Sequence, residues 1–107
     1  MTAEKAVASA SAWFDSGEFK RVLARRVAIR SESQRDDRDE AIHAYLTQEI
    51  TPAMEAMGLT LTPLANPQAP ERPMLLATRI EDPALPVGLC YVHGHVVFGD
   101  DVNWRSG

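Results

Sequence analysis

The sequence predicts a small α/β domain in which two or three N-terminal helices pack on a small mixed β-sheet of about three strands. Up to residue 58, apolar residues recur every three or four positions, as on one face of a helix. After residue 58, short apolar or alternating runs are separated by prolines and glycines, which is typical of strands. A chain of 107 residues has room for one core, so we expect a single domain over residues 1–107.

The first half contains three helical patterns. Residues 3–14 are rich in alanine and predict a short helix whose aromatic end, Trp13 and Phe14, docks on the rest of the domain. Asp15 with Glu18 three residues later has the form of a capping box, so a second helix is expected to start there. Its apolar positions recur at helical spacing and predict a core-forming face: Phe19, Val22, Leu23 and Val27.

A polar stretch without periodicity, residues 31–39, predicts a loop before the next helix. That helix is expected to run from Asp39 to Gly58, because apolar residues trace one face and the glycine is placed to end it. Pro52 lies inside the run. Proline lacks an amide hydrogen and clashes with the preceding turn, so we expect a kink or a restart at about residue 51.

Three strands are predicted in the second half. Residues 59–64 alternate leucine with threonine, and Pro63 favours an edge position. Residues 74–80 predict the second strand, and the apolar run 87–92 predicts a third strand buried on both faces. The lone cysteine, Cys90, falls in this third strand, where it is expected to be a buried thiol, consistent with a reducing cytoplasm.

Charge and hydropathy exclude several classes of protein. The net charge of −4 argues against a nucleic-acid partner, since phosphate binding depends on Lys and Arg. Four arginines at helical spacing are expected to form a solvated face: Arg21, Arg25, Arg26 and Arg30. No apolar run approaches the roughly 20 residues that span a bilayer, and the first residues lack the basic region and continuous apolar stretch of a signal peptide, so we expect neither. We therefore expect a cytoplasmic protein with no membrane partner.

Two histidines form the one pattern with an obvious chemical interpretation. His93 and His95 follow the predicted third strand, and open α/β sheets place ligands at that end of their strands. Residues two apart in an extended chain project to the same side, so both rings are expected to face one crevice. Three interpretations stay open: ordinary strand-end histidines that are solvated or bonded to the backbone, a weak zinc or nickel site, or a competent catalytic site.

The remaining polar and aromatic candidates favour ordinary roles. Asp100 and Asp101 are adjacent in a loop and are expected to form a solvated acidic turn instead of a catalytic carboxylate pair. His43 lies off the apolar face of its helix and is expected to be solvated. Trp104 is expected to pack rather than to bind a substrate.

The same segment resembles the M20 family of zinc-dependent metallohydrolases, which cleave peptide and N-acyl amide bonds. The residues that carry this resemblance are Tyr91, Val92, His93, Gly94, His95, Val96 and Val97, then Gly99, Asp100 and Asp101, and then Asn103, Trp104 and Arg105. His93 falls on the family's first zinc ligand, whereas His95 stands where the family has a catalytic-site aspartate. Weaker similarity extends over residues 19–33, 41–58 and 72–80, so roughly residues 13–107 are covered.

The resemblance implies a metal-dependent hydrolase of peptide or N-acyl amide bonds, acting on a peptide or an N-acyl amino acid. Its cofactor would be zinc or another divalent transition metal, or none in this chain. The family's other ligands and its general-base glutamate come from later sequence, so we expect the chain to resemble only the N-terminal portion and to be inactive alone. The family also places the loop at residues 31–39 close to its active site.

The alternative is a non-catalytic, truncated module that self-associates or binds a protein partner. A strand at residues 87–92 without further strands beside it would leave backbone donors and acceptors unpaired. We therefore expect association through this strand as a homodimer.

Overall fold

The computed structural model describes residues 2–99 and 101–105. Helices occupy the first half of the chain: α1 (Ala3–Asp15), α2 (Glu18–Val27), α3 (Asp39–Ala44), a π-helical segment (Tyr45–Ile50) and α4 (Thr51–Ala56). Two strands follow, β1 (Thr60–Leu64) and β2 (Met74–Thr78), and a 3₁₀ turn covers Asp101–Asn103. The architecture is therefore a small mixed one of helices with a two-stranded antiparallel sheet.

Helix α1 forms as predicted and its aromatic end docks on α2. The rings of Trp13 and Phe14 each lie 5.5 Å from the ring of Phe19. The predicted capping box is wrong: Asp15 belongs to the last turn of α1, and the N-cap of α2 is Gly17 at φ 83°. Two helices that meet within two residues need a sharp reversal, and glycine adopts this left-handed conformation without steric cost.

Helix α2 contains the four apolar positions that predicted it, but its apolar face does not form a core. Phe19 is 38% exposed, Leu23 47% and Val27 54%. The expectation of a core-forming helix is therefore wrong. Helical spacing sets which side chains share a face, whereas burial requires a second layer, and within the described residues α2 contacts mainly α1 and the side chain of Glu49.

The helical run from Asp39 changes register before Pro52, as the sequence predicts. A π-helical segment, Tyr45–Ile50, precedes a restart at Thr51. The α pattern cannot pass through proline unchanged, because proline has no amide hydrogen and crowds the carbonyl four residues earlier. The run ends in a Schellman motif: Gly58, at φ 79°, donates its amide to the Glu55 carbonyl, and the next amide bonds the Met54 carbonyl.

The sheet contains two of the three predicted strands. β1 and β2 are antiparallel, with Thr60 opposite Thr78 and Leu64 opposite Met74. The predicted third strand, residues 87–92, is wrong: this segment is irregular and exposed. A strand that is apolar on both sides needs a covering layer on each, and the helices do not extend over this segment. The sheet is consequently not mixed, and Cys90, expected to be buried, is exposed.

The chain is open for its size. Its radius of gyration is 16.8 Å, against about 13 Å for a compact chain of this length. Its accessible surface is 8885 Å², which exceeds by about 3,000 Å² the area of about 5,900 Å² that the general scaling with mass gives. Ile42 is the buried apolar residue of the described chain, and Trp104, expected to pack, is 68% exposed. None of the described helices has the length and apolar character required to cross a bilayer.

Candidate metal site

The histidine segment, residues 91–97, crosses the helical run at its π-helical part. Gly94 is the point of contact, and a β-carbon added there would lie 3.3 Å from Cε1 of Tyr45 and 3.6 Å from Cδ2 of Leu46. The missing side chain of Gly94 lets the backbone approach the helix closely. Because successive residues of an extended chain point to opposite sides, the flanking His93 and His95 are expected to project away from Tyr45.

A single backbone bridge fixes one edge of the segment. Val96 pairs with Glu32 in an isolated parallel bridge. This contact brings the loop after α2 beside the histidine segment. Ser31 is fully buried there, and its Oγ has no hydrogen-bond partner among the described residues.

The two imidazoles lie together, as the spacing predicts. The ring centroids of His93 and His95 are 5.6 Å apart at an interplanar angle of 70°. The ring of Tyr91 packs edge-on against His93 at 5.0 Å. His93 is exposed and His95 is half-buried. The expected crevice at the end of a buried strand is not formed, because residues 87–92 are not a strand.

Each imidazole uses its Nδ1 atom in a local hydrogen bond. Nδ1 of His95 lies 3.1 Å from the Val96 carbonyl oxygen, which only accepts, so this nitrogen carries the proton. Nδ1 of His93 lies 3.2 Å from the Tyr91 hydroxyl, which both donates and accepts. Histidines that bind metals commonly donate their second N–H to an oxygen in this way. The arrangement leaves Nε2 of His95 free to bind a metal, and Nε2 of His93 is free in the tautomer whose Nδ1 donates to the Tyr91 hydroxyl.

The described residues bring together two potential metal ligands, the imidazoles of His93 and His95. Within residues 2–99 and 101–105, no three His, Cys, Asp or Glu side chains form a group that could hold a metal ion. His43 is exposed on α3, as predicted. Asp100 and the side chain of Asp101 lie outside the described residues, so the predicted acidic turn stays a prediction.

A buried carboxylate, Glu32, neighbours the histidine segment, and the sequence pattern did not single it out. It accepts hydrogen bonds from Arg38 Nε at 3.0 Å and from Arg30 Nη2 at 3.1 Å. Burial alone would raise the pKa of the Glu32 carboxyl, but the hydrogen bonds from both arginines and a backbone amide outweigh it and lower this pKa. Glu32 is therefore an ionised group committed to arginine, not a free metal ligand or base.

A second buried carboxylate, Glu49, ties the π-helical segment to α2. Its Oε1 accepts a hydrogen bond of 2.7 Å from Arg25 Nε, and Arg26 lies 3.9 Å from Oε2. The hydrogen bond from Arg25 lowers the pKa of Glu49 despite burial. The predicted solvated basic face is largely correct: Arg21, Arg25 and Arg30 are exposed, whereas Arg26 is half-buried, and both Arg25 and Arg26 pair with Glu49. The sequence contained an indication that Glu49 is buried, since it stands seven residues after Ile42 and therefore on the same apolar face.

An open cleft of about 290 Å³ lies just before the histidine segment. Residues 79–82 and 85–88 line it, and neither histidine contributes. Arg79 and Glu81 form an ion pair at its rim. Among the described residues that line it are Glu81 and Asp82, but no histidine, cysteine or serine.

No protein-family model, curated protein or solved structure matches this chain. The similarity to the M20 family accordingly stays a prediction from the residues quoted above.

Proposed function

We propose that this chain is the N-terminal portion of an M20-type, metal-dependent hydrolase of peptide or N-acyl amide bonds and that it supplies the first metal ligand, His93. The observation that carries the proposal is the pairing of two imidazoles at 5.6 Å with both Nδ1 atoms engaged by oxygens. Imidazole nitrogen is a preferred zinc ligand, so the donor set fits this metal or a similar divalent ion.

Each residue of the site then has a distinct role. His93 would bind through Nε2, while Tyr91 holds the ring by its contact with Nδ1. His95 stands where the family has an aspartate, and a neutral imidazole brings no negative charge to offset the metal. Losing an orienting carboxylate of this kind typically costs about 10- to 100-fold in metal affinity or activity. Bound zinc would lower the pKa of a coordinated water to about 7 and polarise the scissile carbonyl.

Catalysis needs more than these residues provide. A catalytic zinc usually has three protein ligands and an open position, and a general base must take the proton of the water. The resemblance assigns those further ligands and the glutamate base to a later part of the family sequence. We therefore expect the isolated chain to bind metal weakly and not to turn over peptide or N-acyl substrates.

The experiment measures zinc affinity by titration calorimetry and turnover of N-acyl amino acids and dipeptides. Zinc binding should be lost in His93→Ala and kept in the matched control His43→Ala, which removes an exposed histidine of α3. If His95 replaces an orienting carboxylate, His95→Asp should tighten zinc binding. Weaker binding by His95→Asp would show that His95 is itself a ligand, and chelator-sensitive turnover that requires His93 would refute the expected inactivity.

A self-associating module is the second candidate, favoured by one observation. The exposed apolar strip, residues 85–98, includes Leu89 at 90% exposure and Tyr91 at 80%. Soluble monomers rarely expose a contiguous apolar surface of this kind unless it is an interaction site.

A further inference from the structure

The exposed apolar strip carries no charged side chain between Leu85 and Phe98, although the chain as a whole has a net charge of −4. Within the described residues, the bridge from Val96 to Glu32 is the only β pairing that the strip makes. One edge of its backbone is therefore occupied near Val96, and the opposite edge is open to another chain.

The surface area favours a second copy as the partner. The chain exposes about 3,000 Å² more than a compact domain of its mass, whereas a stable interface buries about 1,200–2,000 Å² in total over both partners. The strip is uncharged, so two copies do not repel each other along it. A two-fold interface brings the same surface together on both copies and requires no other molecule.

We infer that two copies of this chain pair antiparallel about Gly94 and that the four imidazoles of both His93 and both His95 bind one zinc or similar divalent ion. An antiparallel pair centred on Gly94 places His93 of each copy directly opposite His95 of the other. Residues opposite each other in this way lie on the same face, with β-carbons about 4.5–5.5 Å apart. All four rings then project to the face turned away from Tyr45. The inference rests on the second candidate function, self-association.

The geometry of one chain fits half of such a site. A structural zinc site is tetrahedral, and two imidazoles bound through Nε2 at about 2.0–2.1 Å have ring centroids about 5 Å apart. The observed separation of 5.6 Å is close to this value. Both Nδ1 atoms already bond to oxygens, so Nε2 is the atom presented by each ring. Gly94 adds no side chain at the two-fold axis.

The test uses the untagged, full chain with zinc sulfate. Sedimentation and light scattering at micromolar concentration should give twice the chain mass of 11.8 kDa with zinc present, and calorimetry should give one zinc per two chains. Cobalt(II) in place of zinc should show the intense visible absorption of a tetrahedral ion. His93→Ala and His95→Ala should each abolish the zinc-dependent dimer, whereas His43→Ala should retain it.

The other outcomes separate the inference from the function on which it rests. A dimer that forms equally in chelator and survives both histidine substitutions would overturn the metal bridge and leave self-association standing. One zinc per monomeric chain would overturn the bridge and favour the hydrolase-type site. A chain that is monomeric with and without zinc would overturn both the bridge and the self-associating module. Circular dichroism of each variant confirms that the helices are kept.

Discussion

Gly94 provides the sharpest test of how the histidine segment is held, when it is compared with Gly88. Neither glycine has a positive φ, so alanine fits the backbone conformation at both positions. At such positions Gly→Ala stabilises a protein by about 0.4–1 kcal/mol through the unfolded chain. An alanine β-carbon at position 88 would meet nothing within 4 Å, whereas at position 94 it would lie 3.3 Å from the ring of Tyr45. The entropic gain is therefore shared, and the steric cost is confined to Gly94→Ala.

The expected difference follows from the contact with Tyr45. Overpacking of this kind typically costs about 1–3 kcal/mol. Because the unfolded-state gains cancel in the comparison, Gly94→Ala should be about 1 kcal/mol less stable than Gly88→Ala, at the low end of that range, since the half-buried Tyr45 ring needs to move only slightly. The displaced backbone should also separate the two imidazoles and weaken zinc binding, which Gly88→Ala should leave unchanged.

Urea unfolding followed by circular dichroism measures the stability difference, in the presence of chelator so that metal does not contribute. Equal slopes against urea concentration in the two variants would show that the comparison concerns stability alone. If the two variants differ by less than about 0.5 kcal/mol, Gly94 is not packed against the helix in solution, since typical overpacking costs exceed that value. The orientation of His93 and His95 away from Tyr45 would then lose its basis.

Two further predictions concern the helical half of the chain. Ile42→Ala removes the buried apolar side chain and should cost about 2–3 kcal/mol in urea unfolding, the lower part of the usual range because little of the chain surrounds it. Val7→Ala, at 65% exposure, should change the stability by less than about 0.5 kcal/mol, and a larger effect would contradict the open face of α1. The hydrogen bond from Arg35 lowers the pKa of Asp37 to about 2, so the stability that Asp37 contributes is present above its unfolded pKa of about 4 and is lost as the pH falls from about 4 to about 2. Carbon-13 titration of the carboxyl groups should show this, Arg35→Gln should return the pKa toward about 4, and an unchanged Asp37 pKa in that variant would show that the pair does not form in solution.

The parts of the fold that were predictable are those that depend on local chemistry. The start of the helical run at Asp39, the break before Pro52 and the stop at Gly58 follow from the conformations these residues allow, and all three are observed. The third strand was not predictable in the same way. Its apolar residues are compatible with a strand, but pairing and burial depend on layers that are distant in sequence, and residues 87–92 have none.

In the candidate site, too, the features that depend on neighbouring residues were predictable, whereas those that depend on residues distant in sequence were not. The proximity of His93 and His95 follows from their spacing of two residues, which is a local property, and it is observed. The contact of Gly94 with Tyr45 and the bridge from Val96 to Glu32 join segments more than 45 residues apart, and no local pattern announces them. The buried Glu32 was missed for a different reason: its partners Arg30 and Arg38 are near it in sequence, but the polar stretch at residues 31–39 has no periodicity that indicates burial.

Residue 95 distinguishes the two candidate functions, because they make opposite demands on it. A hydrolase site of the M20 type requires an anionic side chain that orients its neighbours and offsets the charge of the metal, and a neutral imidazole serves that purpose poorly. A four-imidazole bridge requires a neutral ligand with a free nitrogen, which is what His95 presents while its Nδ1 proton bonds to the Val96 carbonyl. The same substitution, His95→Asp, should therefore tighten metal binding in the first case and dissolve the zinc-dependent dimer in the second. The contacts already in place fit the ligand role better than the orienting role, because Nδ1 of His93, the atom that an orienting residue would contact, lies 3.2 Å from the Tyr91 hydroxyl.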